Sequence, residues 1–187
     1  VMDWHVDGLH FGRVAGFLAS ALLVAAIEEP LFRGAFFLAF VGRKKWRNLV
    51  LTGINSVFFA TVHFLKARDP QEGLSALTGF GIWREMLVHL AHPQEFVMRW
   101  VSLFLAGAIL CVLVLRYGNL WAAMGLHAGW VLALKVCNEL TESRAVAGSW
   151  WFSGDVLSGL WPDLVLGVLL LGLLWVSYRE RNLGDPA

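Results

Sequence analysis

Apolar residues run almost unbroken through five stretches of the chain, 11–40, 48–65, 96–115, 120–137 and 157–178, with polar clusters between them. About 20 apolar residues carry a helix across a bilayer, so the pattern predicts five transmembrane α-helices. The short turn Arg116-Tyr117-Gly118-Asn119 makes the helices on either side antiparallel neighbours. The first stretch is longer than a bilayer requires and must tilt, bend or project beyond it. Pro30 offers the bend, because its missing N–H leaves the carbonyl of Ala26 without a helical partner. The long loop 66–94 carries Trp83, Met86, Leu87 and Leu90 at helical spacing, with Arg84, Glu85 and His89 between them. That pattern predicts a helix lying along the membrane surface, or a re-entrant segment starting near Leu74. The tail, 179–187, is expected to be exposed and frayed.

Composition agrees with this reading. With 58% hydrophobic residues, 16% charged residues and ten tryptophans, the chain has the make-up of an integral membrane protein. The fold class is therefore all-α, a polytopic transmembrane helix bundle forming one domain over 1–187. A formal net charge of +1 and the lack of a basic stripe speak against nucleic acid as a partner. Cys111 and Cys137 lie inside apolar runs without metal-ligand spacing, as packing residues do. Arg43, Lys44, Lys45 and Arg47, then Arg116, then Arg179 and Arg181 all fall on one side of a five-span bundle. The positive-inside rule makes that side cytoplasmic, with the N-terminus outside and the C-terminus inside, as in a bacterial inner membrane. Trp46, Trp100, Trp121, Trp150, Trp151 and Trp175 lie near span ends, where an aromatic belt would sit. The chain begins at Val1, which leaves room for helices upstream.

Against this background one hexapeptide is anomalous. Glu28-Glu29-Pro30-Leu31-Phe32-Arg33 places three charges within an otherwise apolar span. Each costs about 2.5 to 3.5 kcal/mol on insertion scales, so anchoring does not explain them. Glu29 and Arg33 are four residues apart and share a helix face, which suits an ion pair, while Glu28 is rotated by about 100°. Further polar residues occur in other spans: Asn55, His63 four residues after Phe59, and His127 between Gly125 and Gly129. Those glycines would let a neighbouring helix approach closely beside His127. The cheapest way to accommodate Glu28, Glu29, Arg33, His63 and His127 is convergence on one hydrated, protein-lined cavity. At about 1.5 Å per residue, Glu28 and His63 both lie ~22 Å from the cytoplasmic side, while His127 lies only ~12 Å from Asn119. Tilt or an irregular helix must remove that mismatch.

Such a cavity supports several chemistries. Glu28 could serve as general base for a water, His63 could share the proton or orient that water, and His127 could donate to an oxyanion. A glutamate with His63 and His127 could instead hold Zn2+, although there is no His-Glu-x-x-His motif. The carboxylates could also be structural, in a membrane scaffold or immunity protein, or form the proton relay of a transporter.

Glu28-Glu29-x-x-x-Arg33 followed by Gly34, then Phe59-x-x-x-His63, then a lone His127 in a later span, resemble the three motifs of the CPBP family, the CAAX-protease and bacteriocin-processing intramembrane endopeptidases. The resemblance covers about 18–131 and includes the type II CAAX prenyl endopeptidases. It implies a glutamate-dependent, metal-independent peptide hydrolase acting on a membrane-anchored or lipidated protein. Glu28 and His63 would activate water, Glu29 and Arg33 would support the site, and His127 would line the oxyanion hole. The family commonly has Asn or Asp four residues after the third-motif histidine; this chain has Val131. Asn55 is one possible substitute donor, and it could equally hydrogen-bond within the helix bundle.

Overall fold

The computed structural model describes residues 2–4, 11–64, 97–143 and 160–183. Five α-helices appear: α1 (Phe11–Glu29), α2 (Lys45–Val62), α3 (Val97–Tyr117), α4 (Trp121–Leu140) and α5 (Leu160–Leu183). Each coincides with one of the five apolar stretches. Helix α2 begins before its apolar run, because Lys45 and Arg47 take helical positions at the end where long basic side chains can reach water. The helix expected within 66–94, together with Trp150 and Trp151, lies outside the described residues. One small element was not expected, an antiparallel pairing of Met2–Trp4 with Thr141–Ser143.

Helix α3 is the centre of the bundle. It packs against α2, α4 and α5, while α1 packs against α4. Gly107 to Val114 are buried on every side, as befits a helix apolar all round. Outer helices α1 and α5 instead leave Leu22, Leu23, Ile27, Val168, Leu171 and Trp175 exposed. Those faces are suited to hydrocarbon. Three segments, Phe11–Phe40, Val97–Tyr117 and Leu160–Arg179, are long and apolar enough to cross a membrane. The other two helices are more polar because they carry groups that the bundle buries: Thr52, Asn55 and Ser56 on α2, and His127 on α4. The protein is an integral membrane helix bundle.

Local chemistry sets the turns. Gly118 has φ +66°, a left-handed conformation that glycine adopts without strain, and its N–H closes α3 on the carbonyl of Val114 at 2.9 Å. Asn119 then accepts from the N–H of Trp121 at 3.1 Å and starts α4. Between α1 and α2, the side chain of Asn48 pairs with both backbone groups of Gly42, at 3.0 and 2.8 Å. Helix α5 is tied to α3 by Ser102, whose hydroxyl donates to Asp163 at 2.6 Å. Trp100, part-buried, donates to Thr61 at 3.2 Å and stacks on Phe104.

Candidate active site

Helix α1 does not run straight through to the turn before α2. It gives way at Pro30 to a π-helical turn, Pro30–Ala35, and then to a 3-10 turn at Leu38–Phe40. Pro30 has no N–H to return to Ala26, so the α-helical ladder ends beside the carboxylates. Because the segment from Glu28 to Arg43 is not a continuous α-helix, a count of 1.5 Å per residue does not measure the depth of Glu28. Glu28 lies beside both His63 and His127, so the mismatch counted along straight helices does not keep them apart.

Glu29 and Arg33 are both fully buried and form the predicted ion pair, with Nη1 of Arg33 donating to Oε1 of Glu29 at 3.1 Å. The guanidinium also lies over the ring of Phe59, 4.1 Å from its centroid, and Nη2 donates to the carbonyl of Gly107 at 3.4 Å. Oε1 of Glu29 has a second partner on another helix, Nδ1 of His127 at 2.7 Å. Glu29 therefore connects α1 to α4 as well as neutralising Arg33.

Glu28 faces the two histidines. Its Oε2 lies 3.8 Å from Nε2 of His63 and 3.9 Å from Nε2 of His127. The tautomers follow from the other ring nitrogens. Nδ1 of His63 is 2.8 Å from the carbonyl of Phe59, which can only accept, so the hydrogen is on Nδ1. Nδ1 of His127 likewise donates to the Glu29 carboxylate. In their neutral forms both rings turn an Nε2 lone pair toward Glu28, whose Oε2 has no hydrogen-bond partner among the described residues. The five residues singled out as convergent are thus brought together.

Asn55 reaches the site differently. It is buried, donates through Nδ2 to the carbonyl of Phe32 at 2.8 Å, and accepts from Sγ of Cys111 at 3.3 Å. Its side chain serves the first span and not the cavity. That cavity, about 460 Å³, opens beside His63 and His127, and its otherwise largely apolar walls include Trp130, Val131, Leu134 and Trp161. Val131, four residues after His127, is part of its wall. A second cavity of about 420 Å³, beside Asn48 and Thr52, contains none of the candidate residues.

Two features escaped the sequence reading. Among the described residues no helix approaches Gly125 or Gly129 closely: a Cβ at either would meet none of them within 4 Å. Gly107 on α3 is approached in that way, since a Cβ there would lie 3.2 Å from Phe59 and 3.3 Å from the backbone of Ser56. Small-residue spacing is common to both sites, and only packing distinguishes them. Gly107→Ala is expected to push α2 from α3, displace Phe59 from Arg33 and destabilise the fold by about 1–3 kcal/mol. Thermal unfolding in detergent measures this, and an unchanged midpoint would refute the close contact. The second feature is Asp163, a lone carboxylate in the first turn of α5. Its sequence signal was visible, a single charge within the fifth run.

A family model described as Type II CAAX prenyl endopeptidase Rce1-like matches residues 10–133. No curated protein and no solved structure matches the chain. The matched region contains the charged hexapeptide, Phe59, His63 and His127, the residues that meet in space, and extends through α4 as far as the cavity wall. The chain belongs to the type II CAAX prenyl endopeptidase Rce1-like family, a family of membrane proteases.

Proposed function

We propose that the protein hydrolyses a peptide bond in a membrane-anchored or lipidated protein, using water activated by Glu28 with His63. The observation that carries this reading is the position of Glu28 Oε2, 3.8 and 3.9 Å from the two histidine Nε2 atoms. Those separations exceed a direct hydrogen bond and suit one bridged by water. Glu28 takes a proton as the water oxygen attacks the carbonyl carbon, and His63 orients the same water. His127 becomes a donor toward the developing oxyanion when it carries a second proton at Nε2, a charge that Glu29 compensates at Nδ1. Glu28 then passes its proton to the departing amine, and the C–N bond breaks.

Glu29 and Arg33 support the constellation. With Val131 on the cavity wall, a protonated His127 supplies the oxyanion contact without a neighbouring amide. The whole chain acts as one domain with its motif core in 18–131, in a bacterial cytoplasmic membrane with the N-terminus outside. The decisive experiment is cleavage-site mass spectrometry of membrane-anchored proteins in cells carrying wild type or Glu28→Ala. Cleaved termini present only with wild type support the reading, and identical peptide sets refute it.

The same convergence favours one rival. Glu28, His63 and His127 are also a plausible zinc triad, although tetrahedral ligation at about 2.0–2.1 Å would require the three atoms to draw closer than the separations seen here. The glutamate mechanism predicts full cleavage after exhaustive chelation. Complete inhibition reversed by added zinc would establish the metal mechanism in its place.

A further inference from the structure

We propose that Asn55 is a positioning residue: it satisfies the π-helical turn of the first span and so sets Arg33, Glu29 and, through them, His127. In a regular α-helix the N–H of Phe36 would return to the carbonyl of Phe32, four residues earlier. Here it goes to Leu31, five residues earlier, at 3.2 Å. The Phe32 carbonyl has lost its helical donor within a membrane bundle, where an unpaired backbone group is costly. Asn55 supplies the donor from α2, at 2.8 Å, while its oxygen accepts from Cys111 on α3. One buried amide thus joins the π turn to two neighbouring helices.

The consequence follows along the chain. Phe32 is bonded to Arg33, Arg33 holds Glu29 at 3.1 Å, and Glu29 holds Nδ1 of His127 at 2.7 Å. A shift of the Phe32 carbonyl passes to His127 through those contacts. Because one N–H of its amide goes to Phe32 and its oxygen to Cys111, Asn55 is placed to act through the π turn.

The activity part of this inference rests on the protease reading, so the test pairs turnover with a measurement independent of it. Protein labelled with ¹⁵N at its histidines is reconstituted in lipid nanodiscs, and the His127 resonances are assigned by comparison with His127→Gln. Asn55→Asp preserves the shape and the acceptor for Cys111 but removes the N–H aimed at Phe32. It is expected to move or broaden the His127 Nδ1–H signal, and to lower kcat on a membrane-anchored reporter about 10- to 100-fold with KM little changed. Cys111→Ala, which removes the thiol beside Asn55 and keeps the N–H aimed at Phe32, is expected to leave both readouts near wild type. If Asn55→Asp does not fold, Asn55→Ser, whose shorter hydroxyl reaches Phe32 poorly, is read in the same way. A folded variant with unmoved His127 signals overturns the proposal, whether kcat is retained or lost; loss would mark Asn55 as a direct donor. A wild type that cleaves no reporter sinks the protease reading, while the resonances still decide the positioning role.

Discussion

Replacing Glu28 by glutamine is expected to lower kcat by about 10²–10⁴-fold, the usual contribution of a positioned general base. The substitution keeps size and removes only the charge and the capacity to take a proton. Glu28 has no hydrogen-bond partner at Oε2 among the described residues, and its side chain retains 27% exposure. No structural contact should therefore be lost, and the unfolding midpoint should match wild type. Single-turnover cleavage of a membrane-anchored reporter, measured beside thermal unfolding, separates the two quantities. Activity within a few-fold of wild type in a folded Glu28→Gln protein would remove Glu28 from the proposed role. His63→Ala should weaken turnover in the same assay, since His63 shares the water with Glu28.

The second large effect concerns stability. Arg33→Met leaves Glu29 fully buried with His127 as its remaining side-chain partner, and breaking a buried pair from one side typically costs about 3–5 kcal/mol. Methionine also forfeits the cation–π contact with Phe59 and the bond to the Gly107 carbonyl. The double variant Glu29→Gln/Arg33→Met removes both charges and should recover part of that loss, because the uncompensated carboxylate is gone. Its turnover should nevertheless remain low, since His127 loses the carboxylate that orients it. Denaturant unfolding in mixed micelles, followed by tryptophan fluorescence, measures the coupling. A single variant as stable as wild type would show that the pair contributes nothing to the fold.

Much of the architecture was legible because the bilayer taxes composition locally. Each apolar stretch can be recognised without knowing its neighbours, and all five became helices. The same cost made Glu28, Glu29 and Arg33 conspicuous, and the i, i+4 spacing of Glu29 and Arg33 was enough to foresee their pairing. Where contacts run between helices, the reading was less complete. Gly125 and Gly129 looked like a packing contact, yet Gly107 is the residue pressed against a neighbour. For Asn55 the sequence left open an oxyanion donor or a bond within the bundle, and packing supplies bonds to Phe32 and Cys111. The second partner of Glu29, a histidine 98 residues away, had no local signature.

The amino-acid order alone indicated the five helices of the described residues, their approximate limits, the membrane setting and the identity of the charged residues that demand an explanation. These follow from free energies that depend on a residue and its near neighbours. Tertiary structure decided which nitrogen of each histidine faces Glu28, which glycine among the described residues admits a neighbouring helix, and that Glu28 meets both histidines after an irregular turn at Pro30. Those outcomes depend on the relative rotation of separate helices. One residue's change in register turns a side chain by about 100°, so a single irregular turn decides whether two distant groups meet.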